Sequence, residues 1–327
     1  MTAPAPAKRS RRKPRVPGGR AAFTVITPRD ASTFAALLDY RFLTLAQIAR
    51  LVPRDAQSKS IKGHEKKLRE RLGELFHAGY VHRTRTQAYP SVYALGADGA
   101  DHLRVGDEDF NRVEWLKKKT ATWHFIEHAV ETAEFRILVR EALTPYRAVR
   151  LVTGRPLIHA IRQATKPRPG EHPLLLRQPV TLDLFDSRAG KTLGDTQHAG
   201  TVPDHLFLLQ LPDGSQRGFA VEIDRGTMPV THRGFTGSSI EKKMRVYSAA
   251  QQSRVDADRW GMSNFRVLLI TPHPKRSASI RALCKSLGTD VAWTAEQGSL
   301  TAKTMLAAFW QNLHGKAHGL VPPIFME

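Results

Sequence analysis

The stretch from residue 201 to residue 296 constrains the fold more than any other part of this chain. VPDHLFLLQL reads as a strand, PDGS as a turn and RGFAVEID as a second strand, which together make a β-hairpin. A Gly-rich segment, RGTMPVTHRGFTGSS, leads into a helix at about 239–252, and RVLLITP follows as a short apolar run of the kind buried on both faces. SASIRALCKSLG then reads as a helix, DVAWTA as a strand and TAKTMLAAFWQNL as a final helix. Preceded by a long helix over about 122–143 (WHFIEHAVETAEFRILVREAL), this order predicts a mixed sheet with helices on both faces. Between them, VTLDLF at 180–185 reads as a strand and DSRAGKTLGDTQHAG as a loop, while 155–178 shows no assignable pattern.

The first third has a different texture. Phe34, Leu37 and Leu38 give one apolar helix face after Asp30 and Ser32. In LTLAQIARLV, Thr44 with Gln47 three residues on forms a capping box, and Leu45, Ile48, Ala49 and Val52 make a buried stripe. A third helix over about 59–78 turns Ile61, Leu68, Leu72, Leu75 and Phe76 inward, carries Lys59, Lys62, Lys66, Lys67, Arg69 and Arg71 on its other faces, and stops at Gly79. YVHRTRT and SVYALG close a hairpin around AYP. Helix, helix, basic helix, hairpin is the order of a winged helix-turn-helix, which enters the major groove with the helix before the hairpin. The expected arrangement is therefore α+β: a basic arm at 1–22, a winged helix-turn-helix at 23–106, a linker at 107–121 and an α/β domain at 122–327.

Charge points to a polyanionic partner. Lys and Arg number 50 against 30 Asp and Glu, a net charge of +20. The arm holds seven bases and no acid in its first twenty residues, and removing it leaves +13, so the rest of the chain is basic by itself. Residues 59–85 carry eight bases and three acids, which favours phosphate contact over a merely solvated helix face. Lys59, Lys62, Lys66, Lys67, Arg69, Arg83 and Arg85 are the candidate contacts to double-stranded DNA. The one cysteine, Cys284, excludes a disulfide framework and multi-cysteine metal sites and fits a reducing, cytoplasmic setting; it reads as core. The longest apolar runs are too short to span a membrane, and no apolar run follows the basic N-terminus as a secretory signal would require.

No phosphate-binding Gly-x4-Gly-Lys loop, dinucleotide fingerprint, His-x-His metal pair or Gly-x-Ser-x-Gly elbow occurs. The remaining chemistry is a set of carboxylates. Asp204 opens one strand of the hairpin and Glu222 and Asp224 lie on the next, where alternation sends both to one face and Val221 and Ile223 to the other. Three converging carboxylates call for a cation, and Mg²⁺ (or Mn²⁺) takes such oxygens. Lys242 and Lys243 stand on the following helix. The plainer alternative makes Asp204 a turn residue and the other two strand-end charges. Trp115 beside Lys117, Lys118 and Lys119, and the 226–237 segment with His232 and Arg233, are weaker candidates for a base-stacking site and a mobile loop.

Several strings together resemble the replication-relaxation family of plasmid and mobile-element proteins: LTLAQIARLV, LGELFHAGYV and SVYALGADG; His128 with Glu134 six residues on; Val202-Pro203-Asp204; Phe219 to Thr227; and Lys243 four residues before Tyr247. The resemblance covers most of 35–275 and implies a winged helix-turn-helix followed by a domain similar to the PD-(D/E)xK restriction-endonuclease-like fold. It implies Mg²⁺-dependent cleavage, a nick, in DNA replication or transfer, with Asp204, Glu222 and Lys243 as catalytic residues and Asp204, Glu222, Asp224 and Glu134 around the metal. His128 reads as a packing histidine. Asp224 occupies the position where the pattern has lysine, and Lys243 is the substitute one helix later. That departure also supports the alternative, a non-catalytic DNA-binding regulator or mobilisation accessory factor. A separate relaxase or replication protein, and a second copy of the chain, are the further partners considered.

Overall fold

The computed structural model describes residues 25–54, 60–104, 122–168, 170–186, 191–231, 237–262, 264–307 and 309–326. It is α+β, and the chain divides into two compact units, Met1–Val130 and Glu131–Glu327.

In the first unit, α1 (Pro28–Tyr40) is capped by Thr27. The Thr27 N–H donates to the Asp30 carboxylate at 2.8 Å and the Asp30 N–H to the Thr27 hydroxyl at 3.3 Å, so the helix starts three residues earlier than apolar spacing alone suggests. The bridge strand β1 (Leu43–Thr44) leads into α2 (Leu45–Leu51), which carries the expected box: Thr44 N–H to Gln47 Oε1 at 2.9 Å, Gln47 N–H to Thr44 Oγ1 at 3.3 Å. After it come α3 (Ile61–His77), β2 (Val81–Thr84), β3 (Val92–Leu95) and α4 (Ala97–Arg104), the last not anticipated. Gly79 follows α3 at φ +83°, a conformation that favours glycine, so the expected stop has a backbone cause. The strands form an antiparallel sheet in the order β1-β3-β2. Phe34, Leu37, Ile48, Leu68, Leu72, Leu75 and Leu95 fill the core. Ile61, expected inside, is 60% exposed because it is the first residue of its helix and has no turn above it to pack beneath.

α5 (Trp123–Leu143) runs across the division point. The second unit continues with β4 (Arg150–Thr153), α6 (Gly154–Thr165), β5 (Leu176–Asp186), β6 (Lys191–Thr201), β7 (His205–Gln210), β8 (Gln216–Ile223), α7 (Ile240–Ser253), α8 (Val255–Trp260), β9 (Phe265–Thr271), α9 (Pro274–Ser286), β10 (Ala292–Glu296), β11 (Trp310–Gln311) and β12 (Ala317–His318). Seven strands make one sheet in the order β12-β11-β10-β9-β8-β7-β4. Only β8–β9 and β9–β10 are parallel, so the sheet is mixed as its element order predicts. Its two faces bury separate clusters. One joins Ala220, Leu206, Val267 and Leu269 to Met244, Tyr247 and Ile280; the other joins Phe207, Phe219, Val221 and Leu268 to Phe135, Val139 and Trp310.

Two expectations fail here. The loop read into 187–200 is largely β6, paired with β5 over eleven positions from Leu176↔Thr201 to Asp186↔Lys191. Its Gly, Thr and Asp content hides a strand whose partner and covering helix, not its own side chains, hold it extended. The helix read into 301–313 is a turn followed by β11. Met305, Leu306 and Trp310 have helical spacing, but they reach the core from irregular backbone, with the Trp310 indole N–H donating to the Met305 carbonyl at 3.0 Å.

Candidate functional site

β7 and β8 pair antiparallel with His205 opposite Val221, so Asp204 falls opposite Glu222 at the strand ends. Two bonds fix Asp204: its N–H donates to the Val221 carbonyl at 2.9 Å, and its Oδ2 accepts from the Ile223 N–H at 2.8 Å. Glu222 is 2% exposed. Its Oε2 accepts from Lys243 Nζ at 2.5 Å and its Oε1 from the Tyr247 hydroxyl at 2.5 Å. Lys243 and Tyr247 are four residues apart on α7, so one helix face delivers both to one carboxylate. The sequence signal for this was the Lys-x3-Tyr spacing; Tyr247 as the second donor is a site residue that the carboxylate pattern alone did not reveal.

The electrostatics follow from burial. Desolvation pushes the Glu222 carboxyl up to about 7; the Lys243 ammonium and both hydrogen bonds pull it down, and the Asp204 carboxylate raises it again. Burial works against the Lys243 ammonium, yet Glu222 and Asp204 outweigh it and hold its pKa above the ordinary lysine value. Tyr247 is held well above the usual phenol range by burial and by Glu222. The three charged groups Asp204, Glu222 and Lys243 therefore act on one another directly.

Asp224 is placed differently from the expectation that it shares an exposed face with Glu222. β8 is a central strand with helices over both faces, and Asp224 is only 6% exposed. Its N–H donates to the Ile270 carbonyl at 2.8 Å, and its carboxylate takes a fork from Arg276 on α9, Nε at 2.7 Å and Nη2 at 3.2 Å, besides the Gly226 N–H at 3.0 Å. Arg276 also donates to the Met228 carbonyl, tying the start of the 226–231 segment to α9. Arg225 pairs instead with Glu131 at 3.3 Å, and Lys242 donates to the Gly237 carbonyl at 3.3 Å. Glu134 lies half-buried on α5. Among the described residues, no three His, Cys, Asp or Glu side chains gather as a metal-binding group, so the structure does not draw Asp204, Glu222, Asp224 and Glu134 into one cluster. Cys284 is buried in the core, as expected.

In the first unit, Lys62, Lys66 and Arg69 are exposed on α3 and Lys67 is half-buried. Arg83 and Arg85 are exposed on and just beyond β2, with the Arg83 guanidinium 5.1 Å from the Phe76 ring centre. Arg71, read as one of the outward bases, is turned to Asp30 at 2.7 Å. Lys59, the 1–22 arm, Trp115 with Lys117, Lys118 and Lys119, and His232 with Arg233 lie outside the described residues. Among the described residues no helix is long and apolar enough to cross a membrane.

A family model described as Replication-relaxation matches residues 34–264. No curated protein and no solved structure matches the chain.

Proposed function

The chain belongs to the replication-relaxation family, and on that premise we propose that it is a DNA-binding protein of a plasmid or mobile element that nicks DNA during replication or transfer. In this reading the first unit is a winged helix-turn-helix. α3 carries Lys62, Lys66 and Arg69 outward, and the hairpin that follows carries Arg83 and Arg85, a set suited to phosphates flanking a groove.

The observation that carries the cleavage reading is the meeting of Asp204, Glu222 and Lys243. Lys243 reaches Glu222 from α7, which supplies at the cluster the cation that the strand lacks at Asp224. The donor set suits a hard divalent cation: two oxygen ligands facing each other, one of them buried and driven toward its neutral form by the other's charge. Asp204 and Glu222 would hold Mg²⁺ or Mn²⁺, which when bound polarises a phosphate oxygen and lowers the pKa of a water. The chain's own groups have separate tasks. The Ile223 N–H fixes the orientation of Asp204, Tyr247 fixes that of Glu222, and the Lys243 ammonium offers charge for the phosphate as negative charge develops on it.

The test is incubation of supercoiled plasmid with the full chain and Mg²⁺ or Mn²⁺, beside an Asp204→Ala control. Conversion to the open circle by the wild type and not by the control is expected. No conversion at any metal concentration, with binding intact, leaves the second reading: a non-catalytic binding module. The Arg276 fork on Asp224 and the two donors on Glu222 favour that reading, since they satisfy the carboxylates from within the protein.

A further inference from the structure

A half-open hollow of about 320 Å³ lies at the foot of the β5–β6 ribbon, lined by Leu175, Arg177, His198, Gly200, Thr201 and Val202 among others. The ribbon's register explains its chemistry. Leu176 pairs with Thr201 and both are buried; Arg177 pairs with Gly200 on the opposite, exposed face, and His198 lies two residues along that same face. The rim thus presents a guanidinium and an imidazole, and its lining contains no carboxylate. The back wall leads to the carboxylate cluster, because the Thr201 side chain interacts with Tyr247, whose hydroxyl holds Glu222. From Thr201 the backbone reaches Asp204 in three residues, a span of about 10 Å at most.

Gly200 keeps the hollow open. Its backbone is not in the left-handed region, so conformation does not require glycine there. A Cβ at this position would stand 3.1 Å from Leu175 Cδ1, 3.5 Å from the Leu176 carbonyl and 3.6 Å from Arg177 Cγ, and would fill the floor. Space is what the glycine provides.

We propose that this hollow seats a phosphodiester of the DNA strand beside the Asp204–Glu222–Lys243 cluster, with Arg177 as its main anchor. The volume is at the small end of ligand pockets, the size of a nucleotide and not of a duplex, and the arginine fork matches phosphate oxygens. The inference takes its DNA partner from the reading above and adds the path of the strand: along the outer face of the ribbon toward Asp204.

The experiment measures binding of a short DNA duplex to the full chain by fluorescence anisotropy across a salt series, and nicking in parallel. Arg177→Ala should weaken binding several-fold and reduce the slope of log affinity against log salt by about one. Gly200→Val should weaken it comparably with no change of charge. Arg147→Ala, an exposed arginine in the turn before β4, is the remote control and should leave the affinity close to that of the wild type. Wild-type affinity and slope in Arg177→Ala overturn the proposal, whatever Gly200→Val does to folding. The two readings fail separately. If the wild type never nicks but Arg177→Ala lowers the slope, the hollow stands and cleavage falls. If the wild type nicks and Arg177→Ala binds and nicks equally well, cleavage stands and the hollow falls.

Discussion

Each unit buries a carboxylate against a cation, and the two pairs are built for opposite ends. Asp30 in the first unit is 2% exposed, as is Glu222 in the second. Burial alone would raise both. At Asp30 the Arg71 guanidinium, with contacts at 2.7 and 3.1 Å, and the Thr27 hydroxyl and N–H more than offset it, and the carboxyl sits below its ordinary value. At Glu222 one ammonium and one phenol do not, and a second carboxylate, Asp204, adds to the burden. A fork plus a helix cap makes a carboxylate that only holds structure. A single flexible lysine and a like-charged neighbour leave one that a cation can still recruit. Asp224, two residues from Glu222, is of the Asp30 kind, because Arg276 grips it in the same bidentate way.

The largest expected effect breaks the comparison at the catalytic end. Lys243→Met and Asp204→Asn should each lower plasmid nicking by about 10²–10³-fold, the range lost when one preorganised charge or donor is removed from a reacting centre. Asp30→Ala, by contrast, should leave the nicking rate of the folded enzyme unchanged. Its effect belongs to stability: loss of the capping box and of the partner of Arg71 should cost the first unit about 2–3 kcal/mol, read as faster amide exchange in α1 and α3. Arg71 keeps Glu74 at 2.7 Å and part of its contact with water, which holds the cost below that of a fully stranded charge. Equal loss of nicking in Asp30→Ala and Lys243→Met, at equal folded fraction, would erase the distinction between the pairs.

A smaller effect sharpens it. Divalent cation should raise the melting temperature of the second unit by mass action, and Asp204→Asn should remove most of that rise, while the first unit responds to neither. A rise that survives Asp204→Asn places the cation elsewhere.

Where the sequence was legible, local rules and tertiary burial agreed. Thr44 and Gln47 spelled a capping box, Gly79 a left-handed stop, and the apolar runs around Asp204, Glu222 and Val267 a buried hairpin and a parallel neighbour. Lys243 was legible as a substitute for the missing lysine because a flexible chain on the next helix can reach a strand end. The fate of Asp224 was not, since Arg276 lies fifty-two residues away and nothing local announces it. Alternation along β8 predicted one wet face, but a central strand in a covered sheet has none. β6 and the 301–313 segment failed for opposite reasons. One lacks any apolar pattern and is held by its partner strand; the other has a helical pattern that its side chains satisfy without a helix.

The smallest effect is in pH, and its sign separates the two pairs. Asp30 has a lowered carboxyl in the folded state, so its contribution is present above the unfolded value near 3.8 and is lost as pH falls through the folded value. Glu222 is raised, from 4.5 to about 7. The folded state then binds the proton more tightly than the unfolded one. Its contribution is complete below about 4.5 and is lost as pH rises toward 7, with a slope no steeper than about 1.4 kcal/mol per pH unit. Amide exchange resolves the units, so the second should lose stability between pH 4.5 and 7 while the first does not, and Glu222→Gln should flatten that loss without touching the acid limb in α1. Because Lys243 and Tyr247 hold Glu222 in either protonation state, the slope should also flatten when a divalent cation is added, since a bound cation favours the carboxylate over the acid. A second unit whose stability stays level from pH 4.5 to 7 without metal, in wild type and Glu222→Gln alike, would mean that Glu222 is as firmly charged as Asp30 and that the two pairs do the same job.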